Sequence, residues 1–280
     1  MQVKTSIVFL VASLPLLSCG GSGGSNPTGG NGGTGGDGSD VPGTCGISSV
    51  VGLASAGPAE GAWGGLFPIF SGIDAVGGGG VIAADGQAHF LVGDSEVWIG
   101  SVLGSMDGAV SSALVRYYRA TGEGIGGVKN PGSPNTAFLG FGAANAVSSL
   151  AGAYMSVLSN CQPLHLAYND VYRRSASLGV IAGVFTASGD NGYALTVTIH
   201  SDGQLDGSDT QGCVLIGIAA VPDSARNYYR AVADASSCGA FDGHYSGAMW
   251  LSDLGASNDN AQLNLILSNE TSAIFRSLTR

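Results

Sequence analysis

Tyr193-Ala-Leu-Thr-Val-Thr-Ile-His200 alternates large apolar with small or polar residues and runs straight into Ser201-Asp202-Gly203. A period of two is that of an extended strand with one face in a core, and Asp-Gly is a dipeptide that turns such a strand back on itself. The same pattern continues on both sides. Leu263, Leu265 and Leu267 alternate with Gln262, Asn264 and Ser268, with Ile266 out of phase, and turn signals stand at Asp85-Gly86, Asp190-Asn191-Gly192 and Asp242-Gly243. The best helical candidate, Val147 to Leu158, is interrupted by Gly152 and reads better as a strand. The chain is therefore expected to be all-β, with antiparallel meanders closing into small barrels or a sandwich.

Shifting the chain by 117 residues lays Asp85-Gly86-Gln87 on Asp202-Gly203-Gln204 and Gly100 on Gly217. Four further matches keep the same order at nearby offsets. They are Gly65-Leu66-Phe67 with Gly183-Val184-Phe185, Tyr117-Tyr118-Arg119-Ala120 with Tyr228-Tyr229-Arg230-Ala231, Gly152-Ala153-Tyr154 with Gly243-His244-Tyr245, and Asn169 with Asn269. The offset shrinks along the chain, so the first copy carries extra residues, and Gly122 to Asn135 is expected to be an inserted loop. Two tandem barrel-like domains follow, 45–174 and 175–280, of roughly eight strands each.

With 48 glycines in 280 residues, 11% charged and 44% hydrophobic, the chain is too apolar to be disordered throughout and too rich in glycine for long helices. Its first residues differ from the rest. Lys4 precedes the apolar run Ile7 to Leu17, which is too short to cross a bilayer, and Leu16-Leu17-Ser18-Cys19-Gly20 closes it. Residues 1–18 read as a secretion signal of the lipoprotein type, with Cys19 acylated and becoming the new amino terminus. Two or more acyl chains anchor stably, each buried methylene contributing about 0.8 kcal/mol. Gly20 and Gly21 lack the Asp that retains lipoproteins in the inner membrane of enteric bacteria, so the expected address is the outer membrane. Residues 19–44 form a tether in which 12 of the 24 residues from 20 to 43 are Gly, with a root-mean-square span of roughly 27 Å. Without Lys4, nine Lys and Arg stand against twenty Asp and Glu. An acidic body of this kind does not seek nucleic acid.

After Cys19 come Cys45, Cys161, Cys213 and Cys238, an even number in an exported chain, and such a number suggests disulfides. Three connectivities are open to four cysteines. Pairing within each unit, Cys213 with Cys238 and Cys45 with Cys161, is the economical one. Clustered metal spacings are missing, as are the motifs of serine hydrolases and zinc proteases, so no metal and no cofactor is expected. Gly122-Glu-Gly-Ile-Gly-Gly127 fits a dinucleotide fingerprint in letters alone, without a strand-turn-helix around it. The three carboxylates in Asp202 to Asp209 read as a solvated hairpin. Trp98, Tyr117 and Tyr118 are the aromatic candidates for a binding surface. Lys129, the one Lys after Cys19, marks the Gly122 to Asn135 loop as the other candidate contact.

Ser201-Asp-Gly-Gln-Leu-Asp-Gly-Ser-Asp-x-x-Gly-Cys213, Asn227-Tyr-Tyr, Ser-Cys238-Gly and Gly243-His-Tyr-Ser-Gly resemble a group of hypothetical proteobacterial lipoproteins. In plan, though not in motif, the chain is similar to tethered β-barrel surface lipoproteins of the transferrin-binding and factor H-binding type. The long tether is expected to let the body reach a partner beyond the membrane surface, so an anchored module that binds a protein or ligand is the first reading. An accessory of an envelope assembly ranks second, and an envelope hydrolase third.

Overall fold

The computed structural model describes residues 55–68, 75–93, 96–104, 110–112, 116–120, 126–129, 138–155, 162–189, 192–256 and 258–280. Cys19, Cys45, Cys161 and the tether lie outside them. Among the described residues, ten strands come from the first unit. They are β1 (Gly61–Pro68), β2 (Ala75–Ile82), β3 (Gln87–Val92), β4 (Glu96–Gly104), β5 (Val110–Ser112), β6 (Arg116–Ala120), β7 (Gly126–Lys129), β8 (Phe138–Asn145), β9 (Ser149–Met155) and β10 (Gln162–Asn169). Eight follow in the second. They are β11 (Gly183–Ser188), β12 (Ala194–Ile199), β13 (Gln204–Asp209), β14 (Val214–Ala220), β15 (Tyr229–Ser236), β16 (Gly243–Ser252), β17 (Gln262–Ser268) and β18 (Ser272–Thr279). One four-residue helix, α1 (Leu178–Ile181), follows the junction.

The protein is thus nearly all β, as the alternation requires. Each strand from β11 to β18 pairs antiparallel with the next, and Thr186 on β11 meets Thr279 on β18 to close the barrel. The first unit is a half-barrel in the order β8-β9-β10-β1-β2-β3-β4-β6-β7, with β5 beside the far end of β4.

Inside the closed barrel, rows across the strands set small residues beside large ones, which lets side chains fill a narrow barrel. One row runs Leu205, Gly217, Ala233, Tyr245, and another Ala219, Ala231, Gly247, Leu267. A methyl group on Gly217 would collide with the carbonyl oxygen of Val232, and one on Gly247 with that of Ile266. Trp63, Phe67, Phe90 and Trp98 fill the half-barrel.

The outer walls of the two units also pack together. Val81, Leu91, Val97 and Ile99 on the first meet Ala248, Trp250, Ile266, Ala273 and Phe275 on the second in one buried cluster. This explains the out-of-phase Ile266. Leu265 and Leu267 face the barrel interior, while Ile266 faces the neighbouring wall and is equally buried. Ion pairs add to the junction. Arg226 Nε donates to Glu60 Oε1 at 2.8 Å, and Arg174 holds Asp253 through both guanidinium nitrogens.

The 117-residue offset has a structural basis. Ala83 N–H donates to Gln87 O at 2.9 Å and Val102 N–H to Gly86 O at 2.8 Å, and 117 residues later His200 donates to Gln204 O at 2.8 Å and Ala219 to Gly203 O at 2.7 Å. Gly86 and Gly203 have φ of 84° and 94°, a left-handed conformation that glycine adopts without strain. Later matches are corrected. Trp98 is the equivalent of Leu215, and their partners are Tyr117 and Ala235, so Tyr117 does not correspond to Tyr228. Asn169 ends β10 whereas Asn269 precedes β18. Nor is Gly122 to Asn135 a loop throughout, because Gly126–Lys129 is β7, paired with β6 on one side and with β18 on the other.

Cys213 and Cys238 form the expected disulfide, with Cα atoms 4.3 Å apart and a sequence separation of 25. It ties the open ends of β14 and β15 beside the Val214–Ser236 pair, a closure that contributes about 3–4 kcal/mol. The other quoted motif residues are structural as well. Asn227 is buried and satisfied, donating to Val171 O and Leu251 O and accepting from Leu251 N–H. Asp209 Oδ1 accepts the N–H of Gln211 and of Cys213. Tyr245 hydroxyl donates to Phe241 O at 2.8 Å.

Candidate functional site

Trp98, Tyr117, Tyr118 and Lys129 do fall on neighbouring strands. In backbone register Trp98 on β4 pairs with Tyr117 on β6, and Tyr118 pairs with Lys129 on β7. Trp98 itself is fully buried in the half-barrel, 5.3 Å edge-on to Phe67, and offers no exposed ring. It is a core residue.

Among the described residues, a contiguous exposed apolar surface lies on the second barrel. Outward positions of β14 carry Val214, Ile216 and Ile218, and Ile218 pairs with Val232 on β15. Ile216, Ile218 and Val232 are 58%, 61% and 45% exposed. Ile216 lies in one cross-strand row between Asp206 and Asp234. Each of these carboxylates holds a histidine at 2.8 Å, Asp206 binding His200 Nε2 and Asp234 binding His244 Nδ1. Hydrogen bonds from Gln204 and then from His200 hold the Asp206 carboxyl below its ordinary range. The wall is therefore an apolar stripe with acidic margins.

Beside the stripe, a cleft of about 670 Å³ separates the outer walls of the two units. Gln87 and His89 of β3 and Ser101 of β4 line one side, and Tyr228, Arg230, Val232, Ser246 and Ser268 line the other. At its rim Arg230 of the second unit pairs with Asp85 of the first. Val232 belongs to both stripe and cleft.

His89 is 95% buried, its Nδ1 without a hydrogen-bond partner among the described residues. Burial lowers its pKa from 6.5 to about 4, with Asp85 opposing and Arg230 adding to the shift. Burial likewise raises Tyr228 above the ordinary tyrosine range, against the pull of Arg230. At neutral pH the cleft holds an uncharged imidazole, a neutral phenol and one balanced ion pair.

A folded pKa below the unfolded one means that the unfolded chain takes up the proton first. Stability is therefore full above about pH 6.5 and falls toward pH 4. Between pH 7 and 4.5 the contribution is about 2–3 kcal/mol. Urea unfolding of the wild type and of His89→Gln at both pH values should differ by that amount in their acid sensitivity. Equal acid losses would mean that His89 is not held neutral.

No protein-family model, curated protein or solved structure matches the chain. Among the described residues no group of three or more His, Cys, Asp or Glu is arranged to hold a metal, and no helix is long and apolar enough to cross a membrane. Neither His89 nor the Asp85–Arg230 pair stands out in sequence as a site. His89 shares an outward parity with Gln87 and Leu91, and alternation alone marks such positions as solvent-facing.

Proposed function

We propose that the protein is a lipid-anchored binding module of the outer membrane, held through Cys19 and its glycine tether, that captures a protein partner on the outer wall of its second barrel. The observation that supports this reading is the stripe of Val214, Ile216, Ile218 and Val232. Contiguous exposed apolar residues of this kind are a liability on a protein that works alone and an asset on one that docks. The acidic margins at Asp206 and Asp234, on a chain of net charge −10, fit a partner whose apolar face is flanked by Lys or Arg. The anchor rests on the Leu16-Leu17-Ser18-Cys19 signature and the tether after it, which gives the body reach above the membrane.

The test compares full-length wild type, Cys19→Ala, and the double variant Ile216→Lys, Ile218→Lys in membrane fractionation and in quantitative co-purification from envelope extracts and host fluids. Cys19→Ala should move to the soluble fraction; retention in the membrane would refute the anchor. The wild type should capture a basic partner more weakly as salt screens the acidic margins. The double variant should lose at least ten-fold in capture with its melting temperature unchanged, because both side chains point away from the core. Undiminished capture would remove the stripe from consideration.

A further inference from the structure

The cleft beside the stripe is a separate feature with its own chemistry. We infer that it is a binding site for an uncharged, polyhydroxylated ligand of one or two sugar rings. Its size falls in the range of ligand pockets, roughly 300–1,000 Å³.

The class of ligand follows from the charge balance. Among the residues that line the cleft, Asp85 and Arg230 are the charged groups at neutral pH, and they neutralise each other. An anion would have to compete with Asp85 for the guanidinium, and a cation would have to compete with Arg230 for the carboxylate. A hydroxyl group needs neither, since it donates to one partner and accepts from another. The lining suits such groups throughout. Arg230 and the Gln87 amide nitrogen donate, Asp85 and the Gln87 carbonyl oxygen accept, and Ser101, Ser246, Ser268 and Tyr228 do both.

His89 is the second observation. A buried imidazole nitrogen without a partner costs about 1–3 kcal/mol, a penalty that a leucine at the same outward position would avoid. His89 incurs this penalty in the wall of the cleft. A ligand hydroxyl that reaches Nδ1 would give it the partner it lacks among the described residues.

The experiment uses full-length protein in a zwitterionic detergent, so that no sugar headgroup competes. Isothermal titration is run with maltose, cellobiose, chitobiose and N-acetylglucosamine, and in parallel with inorganic phosphate, acetate and putrescine at matched ionic strength. At least one saccharide should bind one to one, and none of the charged probes should bind as tightly. Arg230→Met should weaken saccharide binding at least ten-fold. It removes an ion pair whose partners are half exposed, so the fold persists. Ser101→Trp, which fills the cleft from the opposite wall, should abolish binding. The double variant Ile216→Lys, Ile218→Lys should bind saccharide as the wild type does, which separates this site from the docking stripe. Tighter binding of phosphate, acetate or putrescine, saccharide binding that survives both cleft variants, or no saccharide binding at all would each overturn the inference.

Discussion

Phe275→Ala is expected to lower the free energy of unfolding by about 3–5 kcal/mol and to split one unfolding transition into two. Phe275 is 1% exposed, although it lies on the outer face of β18. It belongs to the cluster that Val81, Leu91, Val97 and Ile99 share with Trp250 and Ile266, so the cavity would open between the units rather than inside either. Elements coupled through such a contact unfold together only while the contact lasts. Urea titration followed by tryptophan fluorescence reads both sides, because Trp63 and Trp98 lie within the half-barrel and Trp250 on the facing wall. Phe185→Ala, an equal truncation inside the closed barrel, is the control and should destabilise that barrel without separating the transitions. A single transition in Phe275→Ala, shifted by less than about 1 kcal/mol, would show that the outer walls do not hold the units together.

Trp98→Ala should cost a similar amount, about 3–5 kcal/mol, and show itself as a loss of fold rather than a loss of binding. The indole is fully buried, with Phe67 5.3 Å away edge-on and Phe67 in turn 5.7 Å from Phe90. Truncation leaves a hole that strand backbones cannot collapse into. Thermal unfolding of Trp98→Ala and Trp98→Phe should rank them in that order of damage. Partner capture by the Phe variant, measured below its melting temperature, should equal that of the wild type. A capture defect in a fully folded Trp98→Phe protein would restore Trp98 as a contact residue.

Legibility in sequence followed the range of the interaction concerned. Strand alternation and Asp-Gly turns are local, and the hydrogen bonds at Gly86 and Gly203 recur because the same tripeptide makes the same turn. The cysteine pair was legible for a related reason, since Cys213 and Cys238 flank strands that are consecutive neighbours. What stayed hidden depends on one wall meeting another. Ile266 breaks its own alternation, a visible sign that an outer face is covered. His89 keeps its alternation perfectly and so gave no sign at all. The short strand β7 was hidden for a different reason. Gly-Gly-Val-Lys has little intrinsic preference for a strand, and it is extended because β6 and β18 offer ladder positions on both sides.

That double pairing of β18 has a consequence for the order in which the molecule can be made. Ser272, Ala273 and Ile274 pair with β7, while Thr279 pairs with Thr186, 93 residues earlier. Both partners are synthesised well ahead of the strand that completes them. Until β18 arrives, β11 and β7 are open edges, the kind of surface on which extended chains add to one another. Loop-closure entropy makes such late, distant pairing slow. The molecule therefore passes through its most aggregation-prone moment just before β18 docks, and a chaperone that shields bare strand edges would act in that interval.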